Sequence, residues 1–378
     1  MSDRIEIAGV TDAPVFDVGV LDALLIWLSD KGGSDAALIS GETPTVRLDG
    51  EWRRVGHRVV SPEELALVLQ SIYQQSALAI LQGGVQLDFR HVVRVRRGVR
   101  YGYRANAVAG LSSRADMGIK ITFRAIPSQP PSFDDLGFED LLRDNAMPSF
   151  GLVLVSGPTG SGKSTTLASI IRRRIETLPE NVQTFEAPVE FDYEAVKNKK
   201  GLVFQSEVGP NVESFEAGVA GVLRMAPDVI LIGEARDRAT IEGLVRSAIT
   251  GHAVYSTTHT NSVAMTIPRM TDEFPRDSRW AMAVNLIDAT RLSIHQRLLR
   301  RPDGGRVAVR EMLVFDEQVR STLFAAGSDR YVRETKRLVQ ERGQPLIADV
   351  EAKYRQGLIA EGDYRRLVAE LGRASDAA

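Results

Sequence analysis

The segment Gly157-Pro158-Thr159-Gly160-Ser161-Gly162-Lys163-Ser164-Thr165 carries G-x-x-x-x-G-K-[ST] in full. Those residue types suit one task, holding a chain of phosphates. Glycines let successive backbone N–H groups turn inward. A helix over Thr165–Glu176 adds unpaired N–H groups and the positive end of its dipole. Lys163 would neutralise the β- and γ-oxygens, and the Ser164 hydroxyl would hold Mg²⁺. The apolar strand Leu152–Ser156 leads into the loop, so the motif sits between strand and helix as the chemistry requires. ATP and Mg²⁺ are the ligands this implies.

Such a loop needs a carboxylate for the metal and a group to steer the attacking water. Pro227-Asp228-Val229-Ile230-Leu231-Ile232-Gly233-Glu234 ends an apolar strand in an acid, which makes Glu234 a metal candidate, through water. Thr184-Phe185-Glu186-Ala187-Pro188-Val189-Glu190-Phe191 places two more acids after an apolar strand. Taken alone, either segment is more simply a solvated loop, since loops carry charge freely. His252 and His259 flank a third short strand, Ala253–Tyr255. Ligands of open α/β sheets gather at the C-terminal ends of the strands, where His259 falls.

The elements around these residues divide the chain. At 378 residues, two or three domains are expected. The first third mixes helices with β-patterned stretches: Val18–Ser29 as an amphipathic helix, strands near Ala36–Ile39 and Thr45–Leu48, a helix start at Ser61-Pro62, and a β pattern over Gln86–Phe123. Pro127, Ser128, Gln129, Pro130 and Pro131 mark a boundary. Beyond it, the apolar runs Leu152–Val155, Val182–Phe185, Val229–Ile232 and Ala253–Tyr255 alternate with helical patterns, the mark of a largely parallel sheet covered on both faces. The pattern after Thr266 reads as mainly helical, with a turn at Pro302–Gly305 and a short apolar run at Arg306–Phe315. The domains expected are thus 1–130, a linker at 131–148, an ATPase core at 149–265 and a mainly helical portion at 266–378. No role attaches to Thr335–Ala378.

Composition narrows the field. Net charge is -2 and cysteine is absent, which removes disulfides, iron–sulfur clusters and thiolate zinc sites. Met1–Val20 lacks the continuous apolar stretch of a signal peptide, and no apolar run approaches the ~20 residues of a spanning helix. A soluble, cytoplasmic protein is expected, with membrane contact only peripheral or through partners.

The ordered set GPTGSGKSTTLA, TFEAPVEF, LRMAPDVILIGEARD and GHAVYSTTHT resembles the Walker A, Asp-box, Walker B and His-box motifs of the secretion ATPase superfamily. That superfamily includes pilus-retraction and type II/type IV secretion motors. The segment Arg306–Glu317 resembles in particular the DotB/TraJ branch, motors of type IVB secretion and plasmid conjugation. The resemblance implies an α/β fold, with an N-terminal PAS-like α+β domain followed by a RecA-like P-loop NTPase domain with a helical C-terminal portion. It implies a homo-hexamer that binds ATP between its domains and works on inner-membrane secretion or conjugation machinery, to which it is recruited peripherally. By the same resemblance Glu190 is the general base, Glu234 the Walker B acid, and His259 a γ-phosphate contact with His252 in support. Arg104 and Arg124 match the family's phosphate-contacting arginines. Two positions depart from the pattern: Ala187 replaces the usual Asp of the Asp box, leaving Glu186 in reserve to Glu190, and Phe150 stands where retraction ATPases often carry arginine.

Arg90, Arg94, Arg96, Arg97, Arg100 and Arg104 crowd one β-patterned stretch beside Tyr101 and Tyr103. Three readings stay open: a basic patch with stacking aromatics for nucleic acid, a solvated face paired with acids, or one or two arginine fingers. Near-neutral charge weighs against the first, so no direct nucleic-acid binding is expected. The leading function is MgATP hydrolysis that powers a type IV, IVB-like secretion or conjugation machine. Pilus retraction, a nucleic-acid translocase, a nucleotide-binding scaffold and a small-molecule kinase are the alternatives.

Overall fold

The computed structural model describes residues 4–96, 99–112, 115–126 and 129–376. Arg97, Pro127 and Ser128, named above, lie outside the described residues. The chain packs as two compact units. One comprises Met1–Pro130 with two later returns of the chain, Ala187–Lys197 and Glu207–Val212; the other comprises Pro131–Glu186, Asn198–Ser206 and Glu213–Ala378.

The first unit runs α1 (Val18–Asp30), β1 (Asp35–Ile39), β2 (Thr45–Leu48), β3 (Glu51–Arg54), α2 (Pro62–Ile72), α3 (Ala77–Gln82), β4 (Leu87–Arg96), β5 (Val99–Ser112) and β6 (Ala115–Ile126). Its strands form one sheet, β3-β2-β1-β6-β5-β4, antiparallel throughout. The i, i+3, i+4, i+7 spacing of Leu21, Leu24, Leu25 and Leu28 puts all four on the buried face of α1, where they join a core with Phe89, Tyr103 and Phe123 of the sheet. Ser61 and Glu64 form a reciprocal capping box that starts α2.

The second unit continues with α4 (Asp140–Asn145), β7 (Gly151–Ser156), α5 (Lys163–Thr177), β8 (Asn181–Glu186), β9 (Leu202–Glu207), α6 (Phe215–Val222), β10 (Val229–Ile232), α7 (Arg238–Ile249), β11 (Ala253–Thr258), α8 (Thr266–Thr271), α9 (Arg279–Ala289), β12 (Thr290–Arg300), β13 (Arg306–Val314), α10 (Glu317–Arg342), α11 (Leu346–Arg355) and α12 (Glu361–Asp376). The sheet order is β13-β12-β7-β11-β10-β8-β9. Strands β12, β7, β11, β10 and β8 are parallel, and β13 turns back antiparallel on β12. Every residue of β7, β10 and β11 is buried, as the continuous apolar runs predict for strands covered on both faces.

One stretch departs from expectation. The region after Thr266 contains two long strands, and β12 lies directly beside the P-loop strand β7. Strand β12 follows α9 without an intervening turn signal and carries Ser293, His295, Gln296 and Arg297 among its apolar residues. That mixture hides its strand character from hydrophobic patterning.

Candidate functional site

Strand β7 ends at Ser156 and the chain turns through Gly157–Gly162 into α5. The turn is possible only with glycine at its entrance. A Cβ on Gly157, whose φ is +145°, would stand 2.3 Å from the carbonyl oxygen of Gln296 and 2.7 Å from Ser161 Oγ. Gly162, at φ +84°, takes the left-handed conformation that starts α5, and no side chain among the described residues caps that helix. Its first-turn N–H groups therefore remain for a ligand. Buried Ser161 Oγ has no hydrogen-bond partner among the described residues. Lys163 is buried and its Nζ donates to Gly157 O at 2.9 Å and Pro158 O at 3.1 Å, curling back over the loop. Ser164 is exposed in the first turn. Orphaned donors, a buried ammonium and an accessible hydroxyl fit a magnesium-bound polyphosphate.

The acid and histidine motifs converge on the neighbouring strand ends. Register pairs Ser156 with Thr258 and Ser256 with Ile232, so the C-terminal ends of β7, β11 and β10 lie side by side. Thr257 Oγ1 donates to Gly233 O at 2.6 Å, and Ala235 N–H donates to Thr257 O at 3.1 Å, locking the two exits together. Glu234 is thereby held 3.3 Å from His259 Nε2, with Arg236 at 2.7 Å on its other oxygen. Arg236 was not singled out by sequence. Glu186 accepts from Thr184 Oγ1 at 2.7 Å and Gln205 Nε2 at 3.1 Å.

His252 requires a correction. It precedes β11 and hydrogen-bonds Ser247 O and Thr250 Oγ1 at the turn after α7. Six strand residues separate it from His259, about 20 Å at the usual rise, so it cannot assist His259 at a phosphate directly.

Glu190 belongs to the segment Ala187–Lys197 that packs with the first unit. That segment is tied down by buried acids. Glu207 accepts from Val189 N–H at 3.1 Å and Arg90 N–H at 2.8 Å; burial pushes its carboxyl above the usual range against those two bonds. Asp192, 2 % exposed, takes both arms of Arg100 and lies 3.8 Å from Arg90. Two arginines of the crowded stretch are thus clamps for the loop that carries Glu190.

Arg104 and Arg124 are direct cross-strand neighbours, and register extends the row from Arg47 through Asp35, Arg124 and Arg104 to Arg90. Opposed residues share a face, so four guanidinium groups and one carboxylate cross the sheet in line. Arg124 bonds Asp35 at 2.8 Å with its side chain 70 % exposed, and Arg104 lies 3.9 Å from Asp88. The aromatics are differently placed. Tyr103 is fully buried, its hydroxyl donating to Leu25 O and its pKa pushed up to about 12 by burial, and Tyr101 donates to Asp30 at 2.7 Å. Neither forms a stacking platform beside the arginines.

Gln296 on β12 is the residue that sequence reasoning missed. It is 1 % exposed; its Nε2 donates to Ser161 O at 2.7 Å, and its Oε1 accepts from Thr166 Oγ1 at 2.8 Å. The available signal was the alternation of buried Leu292 and Ile294 ahead of it, which a helical reading of the stretch obscured.

The family of type II/IV secretion system proteins matches residues 113–366. The chain belongs to that family. It is 35% identical over 327 residues to a twitching motility protein of Neisseria gonorrhoeae, covering 86% of this chain and 84% of the other. The X-ray structure of the Legionella pneumophila ATPase DotB superposes with a TM-score of 0.91 at 34% identity, over 97% of this chain and 100% of that one. The crystal structure of the pilus retraction motor PilT with bound ADP gives 0.78 at 32%, over 91% and 95%. The protein is a secretion-family ATPase that binds nucleotide, with the PAS-like N-terminal domain and RecA-like ATPase domain that the motif resemblance implied. No helix among the described residues is long and apolar enough to cross a membrane.

Proposed function

We propose that this chain hydrolyses MgATP as a homo-hexamer to power a type IV, IVB-like secretion or conjugation machine. The observation that carries the choice is the end-to-end match with the Legionella ATPase, which takes in the C-terminal helices as well as the motifs. Pilus retraction is the second reading, favoured by the pilus-motor relatives at similar identity. The chain would act in the cytoplasm, recruited to the inner membrane by partners.

In this reading Gly157–Thr165 grips the phosphates and Lys163 neutralises them. Ser164 and Glu234 hold Mg²⁺, which would spread the charge of the transferred group. Glu190 takes the proton from water, His259 contacts the γ-phosphate, and Arg104 and Arg124 stabilise developing charge. The paired acids around the N-terminal arginines and the buried Tyr103 favour this over a nucleic-acid platform.

Phosphate release by the purified chain tests it. Lys163→Ala should lose tight ATP binding, whereas Glu190→Gln should bind ATP normally and lose about 10³-fold or more in turnover. A Glu190→Gln variant that turns over at the wild-type rate removes Glu190 from the role. Deletion in the host separates the machines: loss of conjugative or effector transfer with twitching intact supports the first, and the reverse supports retraction.

A further inference from the structure

Beneath the phosphate loop lies a chain of buried polar groups that the reaction itself does not use. Gln296 Oε1, already accepting from Thr166, also accepts from Arg310 Nε at 2.7 Å. An oxygen between two donors admits only one orientation of the carboxamide, which aims Nε2 at Ser161 O. The main chain of the same residue occupies the space that forbids a side chain at Gly157. Residue 296 therefore braces the loop at its entrance with backbone and at its exit with side chain.

Arg310, 2 % exposed, is fixed in turn. Its Nη1 reaches both oxygens of Glu139 at 3.0 Å, and its guanidinium lies 4.8 Å from the centre of the Phe138 ring. Glu139 also pairs with Lys353 of α11, which donates to Asp349 Oδ2 and Ala308 O, both at 2.8 Å. Asp349 closes the circuit by accepting from Arg310 N–H at 2.8 Å. Two cations and two anions cancel. Buried ion networks of this sort generally add little stability over well-packed apolar side chains. Their distinctive effect is to fix the directions of the groups they bind.

We propose that Gln296 is a positioning residue of the phosphate loop, held by α11 through Lys353, Glu139 and Arg310, so that the C-terminal helices set nucleotide affinity. This rests on the ATPase reading of the loop and gives a role to a stretch whose sequence suggests none.

The test uses the full chain, with MgADP affinity by calorimetry, steady-state ATP hydrolysis and a melting curve for each variant. Gln296→Met keeps length but loses the donor and the acceptor; MgADP Kd should rise about tenfold while kcat falls less than threefold. Gln296→Glu keeps the acceptor for Thr166 and Arg310 but sets an anion against Ser161 O. It should lose affinity, and the additional buried charge should lower its melting temperature as well. Lys353→Met, remote from nucleotide, should raise Kd by about threefold in the same direction. Wild-type affinity in folded Gln296→Glu, or losses confined to melting temperature and kcat, would overturn the proposal. A wild-type chain that neither binds nor hydrolyses MgATP would instead overturn the ATPase reading.

Discussion

Arginine is used in opposite ways in the two units. In the N-terminal sheet, Arg90, Arg104 and Arg124 stand in register on adjacent strands, like charge beside like charge, and Arg104 and Arg124 are at least 47 % exposed along their side chains. In the ATPase domain, Arg310 is buried and every partner is supplied from within: Gln296, Glu139 and Asp349. Opposed like charges destabilise a sheet, and exposed pairs recover little of that. Such a row would suit an anion that comes and goes. A closed, neutral circuit serves to hold shape.

The sharpest way to break this contrast is to remove one arginine from each region. Arg104→Ala or Arg124→Ala should cut ATP turnover by about 10³-fold if either stabilises the transferred phosphoryl group. In Arg104→Ala the melting temperature should hold or rise, because like-charge crowding is relieved, whereas Arg124→Ala also takes the 2.8 Å partner from buried Asp35 and should melt lower. Unchanged turnover in both variants would leave the row as a solvated face. Arg310→Met should do the reverse in kind. Stripping one cation from Glu139 leaves a buried carboxylate with Lys353 alone, at a cost of about 3 kcal/mol in unfolding free energy. At present burial pushes Glu139 up while Arg310 and Lys353 hold it below the usual carboxylate range, so acid takes stability from the wild type as this group protonates; without Arg310 the carboxyl rises, and the variant should lose less stability on acidification than the wild type. Equal stability to the wild type would mean that the circuit carries no weight.

What could be read from the sequence follows the same divide. The loop Gly157–Thr165 and the strand ends bearing Glu234 and His259 are local patterns, each an apolar run that stops at a polar residue, and the sheet lays them side by side as read. Helix α1 was equally plain because its leucines keep helical spacing. Gln296, Arg310 and Lys353 are 14 and 43 residues apart along the chain and join only when β12, β13 and α11 pack. A glutamine or arginine inside an amphipathic stretch gives no sign that it will be buried. His252 misled because proximity in sequence to His259 became distance along a strand. The arginine row needed strand register, which composition does not contain.

A smaller and more exacting comparison concerns His295, beside Gln296 on the same strand. It is fully buried, with Nδ1 3.4 Å from Ser156 Oγ. Burial, reinforced by Arg297 and Lys163, lowers its pKa to about 4 from 6.5. The imidazole is therefore neutral in the fold across the whole range in which an unfolded histidine takes up a proton. Above about pH 6.5 both states are neutral and the shift has no effect. As pH falls from 6.5 toward about 4 only the unfolded chain gains the proton, so stability drops with acid through that window. Between pH 7 and pH 5 the histidine alone should lower unfolding free energy by about 2 kcal/mol. His295→Gln keeps a polar side chain but cannot titrate, and it should lose correspondingly less over the same interval in urea unfolding. If wild type and variant decline in parallel, the imidazole takes up its proton in the fold as readily as in the unfolded chain. The cations Arg297 and Lys163 would then be tolerating a third beside the cradle in acid, and the ATPase domain would crowd like charges as the N-terminal sheet does.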